Sequence, residues 1–232
     1  MMKDRLSLSL LISRLGRIRT DKGGVAALEF ALILPLMLSM YLGSVELTKG
    51  IMASRKVNLV SRTIADISAQ QSTAAKIPST QIAAIFTAST AIMAPYSTSS
   101  LKMTASAITI QTTSSGSCCV AMVNWSYTQG GTLRPCGTPL TQTTDPNAQA
   151  AYNTIPQGLI PTSVTITTPN TAVQYLIIAD VQYIYTPNFG KALLNWSNGM
   201  SYTNYMRPRA SGQVLLQSPI TAASGQSGQI CT

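Results

Sequence analysis

The stretch DKGGVAALEFALILPLMLSMYLGSVE, Asp21 to Glu46, decides how the rest of the chain is read. From Phe30 to Val45 sixteen residues carry no charge. At 1.5 Å per residue they make about 24 Å of helix, short of a hydrocarbon core of about 30 Å. Counting from Val25 gives 21 residues and about 31 Å, which fits. A membrane span therefore needs Glu29 near one interface, where a carboxylate is tolerable. Pro35 inside the run favours the bilayer too, because proline is commoner in spanning helices than in soluble ones. A conventional secretion signal would supply the same basic n-region and apolar h-region. Glu29 interrupts that h-region, however, and GSVEL and MASRK are poor cleavage sites.

The charge map agrees with a membrane. The formal net charge is +9, and six of the 16 Lys and Arg precede Gly23 while five more lie between Lys49 and Lys76. The 156 residues after Lys76 hold five basic side chains and two acidic ones, Asp145 and Asp180. Cations that flank an apolar run are a topology signal. Nucleic-acid binding instead needs a basic stripe on one fold, which this distribution lacks. Charged residues make up only 10% of the chain, but 45% are apolar, the opposite of a disordered composition.

Beyond the span the helix is predicted to continue. Ala53, Val57, Val60, Ile64 and Ile67 recur at spacings of four and three, while Arg55, Lys56, Arg62 and Asp66 avoid that stripe. Such a face covers the core of its own domain or packs on neighbouring copies. KIPST (Lys76 to Thr80) interrupts the helix at Pro78, and Ser79 or Thr80 is a candidate cap for a second helix ending near Pro95. The period then changes from helical to alternating. Leu101–Thr112 and Cys119–Thr128 read as a hairpin across TSSGS, and Ser163–Thr168 and Ala172–Thr186 as strands rich in Val, Ile and Tyr. In the last of these Tyr175, Ile177, Ala179, Val181, Tyr183 and Tyr185 share one face. A final extended piece surrounds YTNYMRPRA, and the Ser/Gly/Gln tail that follows carries Cys231.

Four cysteines, Cys118, Cys119, Cys136 and Cys231, all lie downstream of the apolar run. An even number in a loop-rich region suits an oxidising compartment. A bond between the adjacent Cys118 and Cys119 would strain the backbone, so two separate bridges to Cys136 and Cys231, in some order, are expected. Zinc is disfavoured because the chain has no histidine and no C-x2-C spacing. Catalysis is equally hard to build: no paired acids, G-x-S-x-G or Walker loop is present. NWS occurs twice, at Asn124 and Asn195; the glycosylation motif is short enough to arise by chance, or its tryptophan to anchor a loop.

A basic leader ending in Gly24, then Val25-Ala26-Ala27-Leu28-Glu29-Phe30 and an apolar helix, resembles the start of type IV pilin-like precursors. The narrower pattern of Gly24, Ala26, Ala27, Glu29, Phe30, Ala31, Pro35, Gly43 and Glu46 resembles the TadE-like family of Tad pilus assembly proteins, over about Gly23 to Ile67. The resemblance implies a non-catalytic, pilin-like or anchoring component of adherent pilus biogenesis. It implies processing by a prepilin peptidase between Gly24 and Val25, and subunit registry through Glu29 and Phe30. Pro35, Gly43 and Glu46 complete the membrane-helix motif. Larger relatives carry a metal motif of the form D-x-S-x-S, which is not found here.

The expected fold is α+β: an N-terminal transmembrane helix extending into an amphipathic helix, followed by a mainly antiparallel β-sheet domain. The expected divisions are a basic cytoplasmic leader (1–24), a transmembrane helix (25–47), an amphipathic extension (48–76) and an extracytoplasmic α+β domain (77–232). The expected location is the bacterial inner membrane, single-pass, N-terminus cytoplasmic and C-terminal domain periplasmic. Expected partners are that membrane, other Tad pilus components and a prepilin peptidase, with no cofactor, metal, nucleic acid or small-molecule substrate. The competing expectation is a secreted binding domain released by conventional signal cleavage.

Overall fold

A computed structural model describes residues 24–71, 75–112, 119–137, 140–143, 154–159, 161, 168, 171–188, 197–210 and 212–231. Two compact units divide the chain, Met1–Lys49 and Gly50–Thr232. One helix, α1 (Val25–Ala69), runs through both. The fold is α+β, as expected: α1, a second helix and a five-stranded antiparallel sheet. The expected leader, apart from Gly24, and the hairpin turn at TSSGS lie outside the described residues, as does nearly all of Ser163–Thr168.

In the Gly50–Thr232 unit the predicted stripe is the core seam. Ala53, Val57, Val60 and Ile64 are fully buried, with Ile67 packed at the margin. The larger of these side chains, Val57, Val60 and Ile64, each contribute about 1.5–3 kcal/mol by leaving water. Polar contacts fix the helix on the sheet: Ser61 Oγ donates to the Ala179 carbonyl (2.8 Å), Asn204 Nδ2 donates to Asn58 Oδ1 (3.1 Å), and Ser54 bonds Tyr202. The Arg209 N–H donates to the Ala69 carbonyl and closes the end of α1.

Helix α2 (Ser79–Thr90) and a 3-10 turn, Ala91–Met93, follow. The expected serine cap is not made. Pro78 holds the cap position, and Ser79 Oγ turns instead to the Thr221 backbone, donating to its carbonyl and accepting its N–H. Lys56 Nζ donates to the Ile92 carbonyl at 2.9 Å, placing a cation at the negative end of that helical segment.

The strands are β1 (Lys102–Gln111), β2 (Val120–Gln129), β3 (Thr141–Thr143), β4 (Thr154–Pro156), β5 (Ala172–Tyr185), β6 (Asn198–Met206) and β7 (Gln226–Ile230). The main sheet runs β6-β5-β1-β2-β7, and β3 and β4 form a short parallel pair. On β5, Ile177, Ala179, Val181, Tyr183 and Tyr185 face the helices, as the alternation predicts. On β2 the alternation reverses midway. Ala107 pairs with Trp125 but Ile108 pairs with Val123, so Asn124 is the extra residue of a bulge. Ala121 and Val123 therefore face one side, while Trp125 and Tyr127 face the helices on the other. The first NWS thus lies inside a strand, and its Trp125 Nε1 donates to the Val214 carbonyl at 2.7 Å.

Strand β7 was not expected from the Ser/Gly/Gln tail. It is held where Gly228 lies opposite Tyr127; a Cβ there would meet the tyrosine ring at 2.6 Å. The cysteine expectation is also corrected. Cys136 pairs with Cys231, Cα atoms 5.3 Å apart, so the expected bridges from the vicinal pair to these two are not formed. The cause is the edge pairing: the Cys231 N–H donates to the Asn124 carbonyl, and the chain after β2 folds back to meet it. Cys119 is also disulfide-bonded, and Cys118 lies outside the described residues.

Candidate functional site

From Gly24 to Tyr41 every residue is exposed. The exposed set goes round the helix and includes Leu28, Leu32, Leu34, Leu36, Met37 and Leu38. Mean hydropathy over its most apolar eighteen-residue window is 2.0, with none of that window buried. A helix apolar on all sides, without protein against it, suits an apolar solvent. Its serine and threonine hydroxyls are satisfied internally: Ser39 Oγ donates to the Leu36 carbonyl, Ser44 Oγ to the Tyr41 carbonyl and Thr48 Oγ1 to the Ser44 carbonyl, each at 2.8 Å. That is the condition for keeping hydroxyls in hydrocarbon.

The residues singled out by sequence sit along this helix. Gly24 stands just before it and Val25 is its first residue. Among the described residues, a Cβ on Gly24 would meet nothing within 4 Å. Glu29 follows Val25 by four residues, on the same helical face. Both are exposed, as is Phe30 at 61%. Pro35 lies inside the helix without ending it, and Gly43 faces open space. Glu46 is ion-paired with Lys49, Oε1 to Nζ 3.5 Å. The geometry thus brings Val25 and Glu29 together, and places Pro35 and Gly43 along the shaft.

This same segment, residues 24–66, matches the family model described as TadE-like protein. Residues 24–66 are TadE-like. No curated protein and no solved structure matches the chain. The TadE-like segment thus takes in the apolar part of α1 and most of its amphipathic continuation, and stops short of the sheet.

Downstream of the TadE-like segment, the sheet face turned away from the helices carries a polar cluster that sequence reasoning missed. Arg134 and Asp180 are both buried and form a two-pronged ion pair, Nε to Oδ2 3.0 Å and Nη2 to Oδ1 2.9 Å. Thr203 Oγ1 donates to Asp180 Oδ1 at 2.7 Å. Burial pushes the Asp180 carboxyl above its usual range, and Arg134 and Thr203 pull it back. Tyr205 beside them is pushed up to about 12 by burial. The Arg134 N–H donates to Ser126 Oγ, and Gln229 Nε2 donates to the Arg134 carbonyl. Gly131 makes the approach possible, since a Cβ there would lie 2.7 Å from the hydroxyls of Thr104 and Thr128. The arrangement fastens residues 130–137 to the sheet. A separate groove of about 690 Å³ opens beside β7 over Trp125, with Lys76 among its lining residues. No acid accompanies that lysine in the lining.

Proposed function

We propose that the protein is a non-catalytic, single-pass membrane component of a Tad-type pilus assembly. In this reading Val25–Val45 crosses the bacterial inner membrane. The basic leader stays in the cytoplasm and the Gly50–Thr232 unit stands in the periplasm. The observation that carries it is a coincidence along one helix: the segment exposed and apolar on all sides falls within the TadE-like match. The Cys136–Cys231 bridge supports an oxidising compartment for the sheet.

Gly24 and Glu29 extend the proposal to a pilin-like subunit. Cleavage after Gly24 by a prepilin peptidase creates an amine on Val25. A carboxylate among apolar helices needs a cationic partner, and that amine on a neighbouring subunit supplies it. Glu29 then sets the register between copies, or between this chain and other Tad components.

Mass spectrometry of the mature N-terminus tests the reading. A start at Val25 supports the pilin-like route, an uncut chain supports a plain anchor, and a start beyond Glu46 supports a secreted binding domain. A Glu29→Ala variant that still assembles pili normally removes the registry role while sparing the anchor. Cysteine labelling that reaches the sheet unit only from the cytoplasm overturns the orientation.

A further inference from the structure

The Gly50–Thr232 unit has one end that its own packing ties to Gly50. A Cβ on Gly50 would lie 3.7 Å from the Tyr185 ring, and Tyr96 meets that ring edge-on with centroids 6.1 Å apart. Beside them Ser100 Oγ donates to the Ile184 carbonyl at 3.0 Å, holding the end of β5. Ile184 is nevertheless 49% exposed, and Ile51 and Met52, next along α1, are 48% and 55% exposed.

We propose that this end, formed by Ile51, Met52, Tyr96 and Ile184 over the buried Tyr185, is a membrane-facing rim resting on the headgroups of an anionic phospholipid bilayer. The inference rests on the reading that Val25–Val45 spans the membrane. Gly50 is five residues beyond Val45, so the chain holds it within about 18 Å of the span's end even if fully extended. Tyr96, half-buried against the Tyr185 ring, has the apolar body and polar tip that suit that depth. Apolar side chains left in the open at one end of a domain mark a surface that something covers.

Charge selects the partner. Arg55 and Lys102 are exposed near the rim. The described carboxylates of this unit are elsewhere. Asp180 is buried against Arg134, and Asp66 pairs with Arg209 sixteen residues along the helix from Gly50, or about 24 Å away. A rim with cations and no described carboxylate complements anionic lipid. The domain is then a body seated on the bilayer surface by the same logic that seats an interfacial helix.

The test uses the full chain in nanodiscs of mixed phosphatidylcholine and phosphatidylglycerol, with and without brominated acyl chains. Single tryptophans are introduced at Leu34→Trp, Ile184→Trp and Leu215→Trp, each in a Trp196→Phe background that retains the buried Trp125. Leu215 is the remote control, because its carbonyl accepts the Ile77 N–H beyond the far end of α1. The expected result is loss of fluorescence with brominated lipid for Leu34→Trp and Ile184→Trp, and none for Leu215→Trp. If Leu34→Trp is quenched but Ile184→Trp behaves like Leu215→Trp, the rim is overturned and the span stands. If Leu34→Trp is not quenched, the span is overturned and the rim falls with it. Shielding of Ile184→Trp from aqueous iodide without quenching by bromine would assign the surface to a protein and overturn the lipid assignment. Charge reversal at Arg55→Glu with Lys102→Glu is expected to reduce the quenching of Ile184→Trp; unchanged quenching would refute the electrostatic part.

Discussion

Val25–Lys49 and Gly50–Ala69 are stretches of one helix in different surroundings. In the first, apolar side chains point in every direction and those from Val25 to Tyr41 are exposed. In the second, Ala53, Val57, Val60 and Ile64 are buried in one stripe, with Arg55 and Arg62 exposed on the other side. The residue types overlap and the period differs. Apolar content alone says that a segment avoids water. Periodicity separates the two: a single covered face for the second stretch, an apolar surface on every side for the first.

One kind of substitution made in both places is the severest way to break this comparison. Val60→Asp puts an unpaired charge in the core, at an expected cost above about 4 kcal/mol. Cooperative thermal unfolding of the sheet unit should disappear while the protein remains in the membrane fraction. Leu36→Asp should do the reverse, costing about 2.5–3.5 kcal/mol of insertion and leaving the unit's unfolding transition in place. If both variants fail in the same way, the two halves of α1 do not have separate roles.

Next in size is Asp180→Asn, which leaves the Arg134 charge buried without its counter-ion. It should lower the denaturant midpoint by an amount equivalent to about 3–5 kcal/mol. Membrane association should not change. Replacing Cys136 and Cys231 together by serine removes a bridge spanning 95 residues, and should cost about 2–4 kcal/mol in the same denaturant titration. The smallest contrast compares two glycines. Gly228→Ala forces a methyl against the Tyr127 ring and should cost about 1–3 kcal/mol. Gly43→Ala meets nothing within 4 Å and should leave the unit's thermal midpoint where it was.

The elements legible in the sequence were those built on repetition. The long apolar helix followed from length and hydropathy, the seam from spacings of four and three, and β5 from its Val, Ile and Tyr at every second position. What escaped depended on single contacts between distant residues. Strand β7 has low intrinsic strand preference and exists because β2 offers it an edge and Tyr127 leaves room only for a glycine. Arg134 looked like any of the few downstream cations, and nothing local says that Asp180, 46 residues on, will neutralise it. The bulge at Asn124 reversed a correct alternation halfway along β2. At the candidate site, the positions of Val25 and Glu29 on one helical face were readable because a helix fixes spacing locally.

The Cys136–Cys231 bridge has a consequence for the order of events as the chain is made. On the proposed topology, a chain emerging into an oxidising compartment presents Cys118, Cys119 and Cys136 before Cys231. Closing a short loop is faster and entropically cheaper than closing a long one. Proximity along the chain therefore favours Cys118 and Cys119 over Cys231 as early partners of Cys136. Pairing of β7 with β2 places Cys231 beside Cys136, so the finished sheet favours the native bridge over the nearer partners.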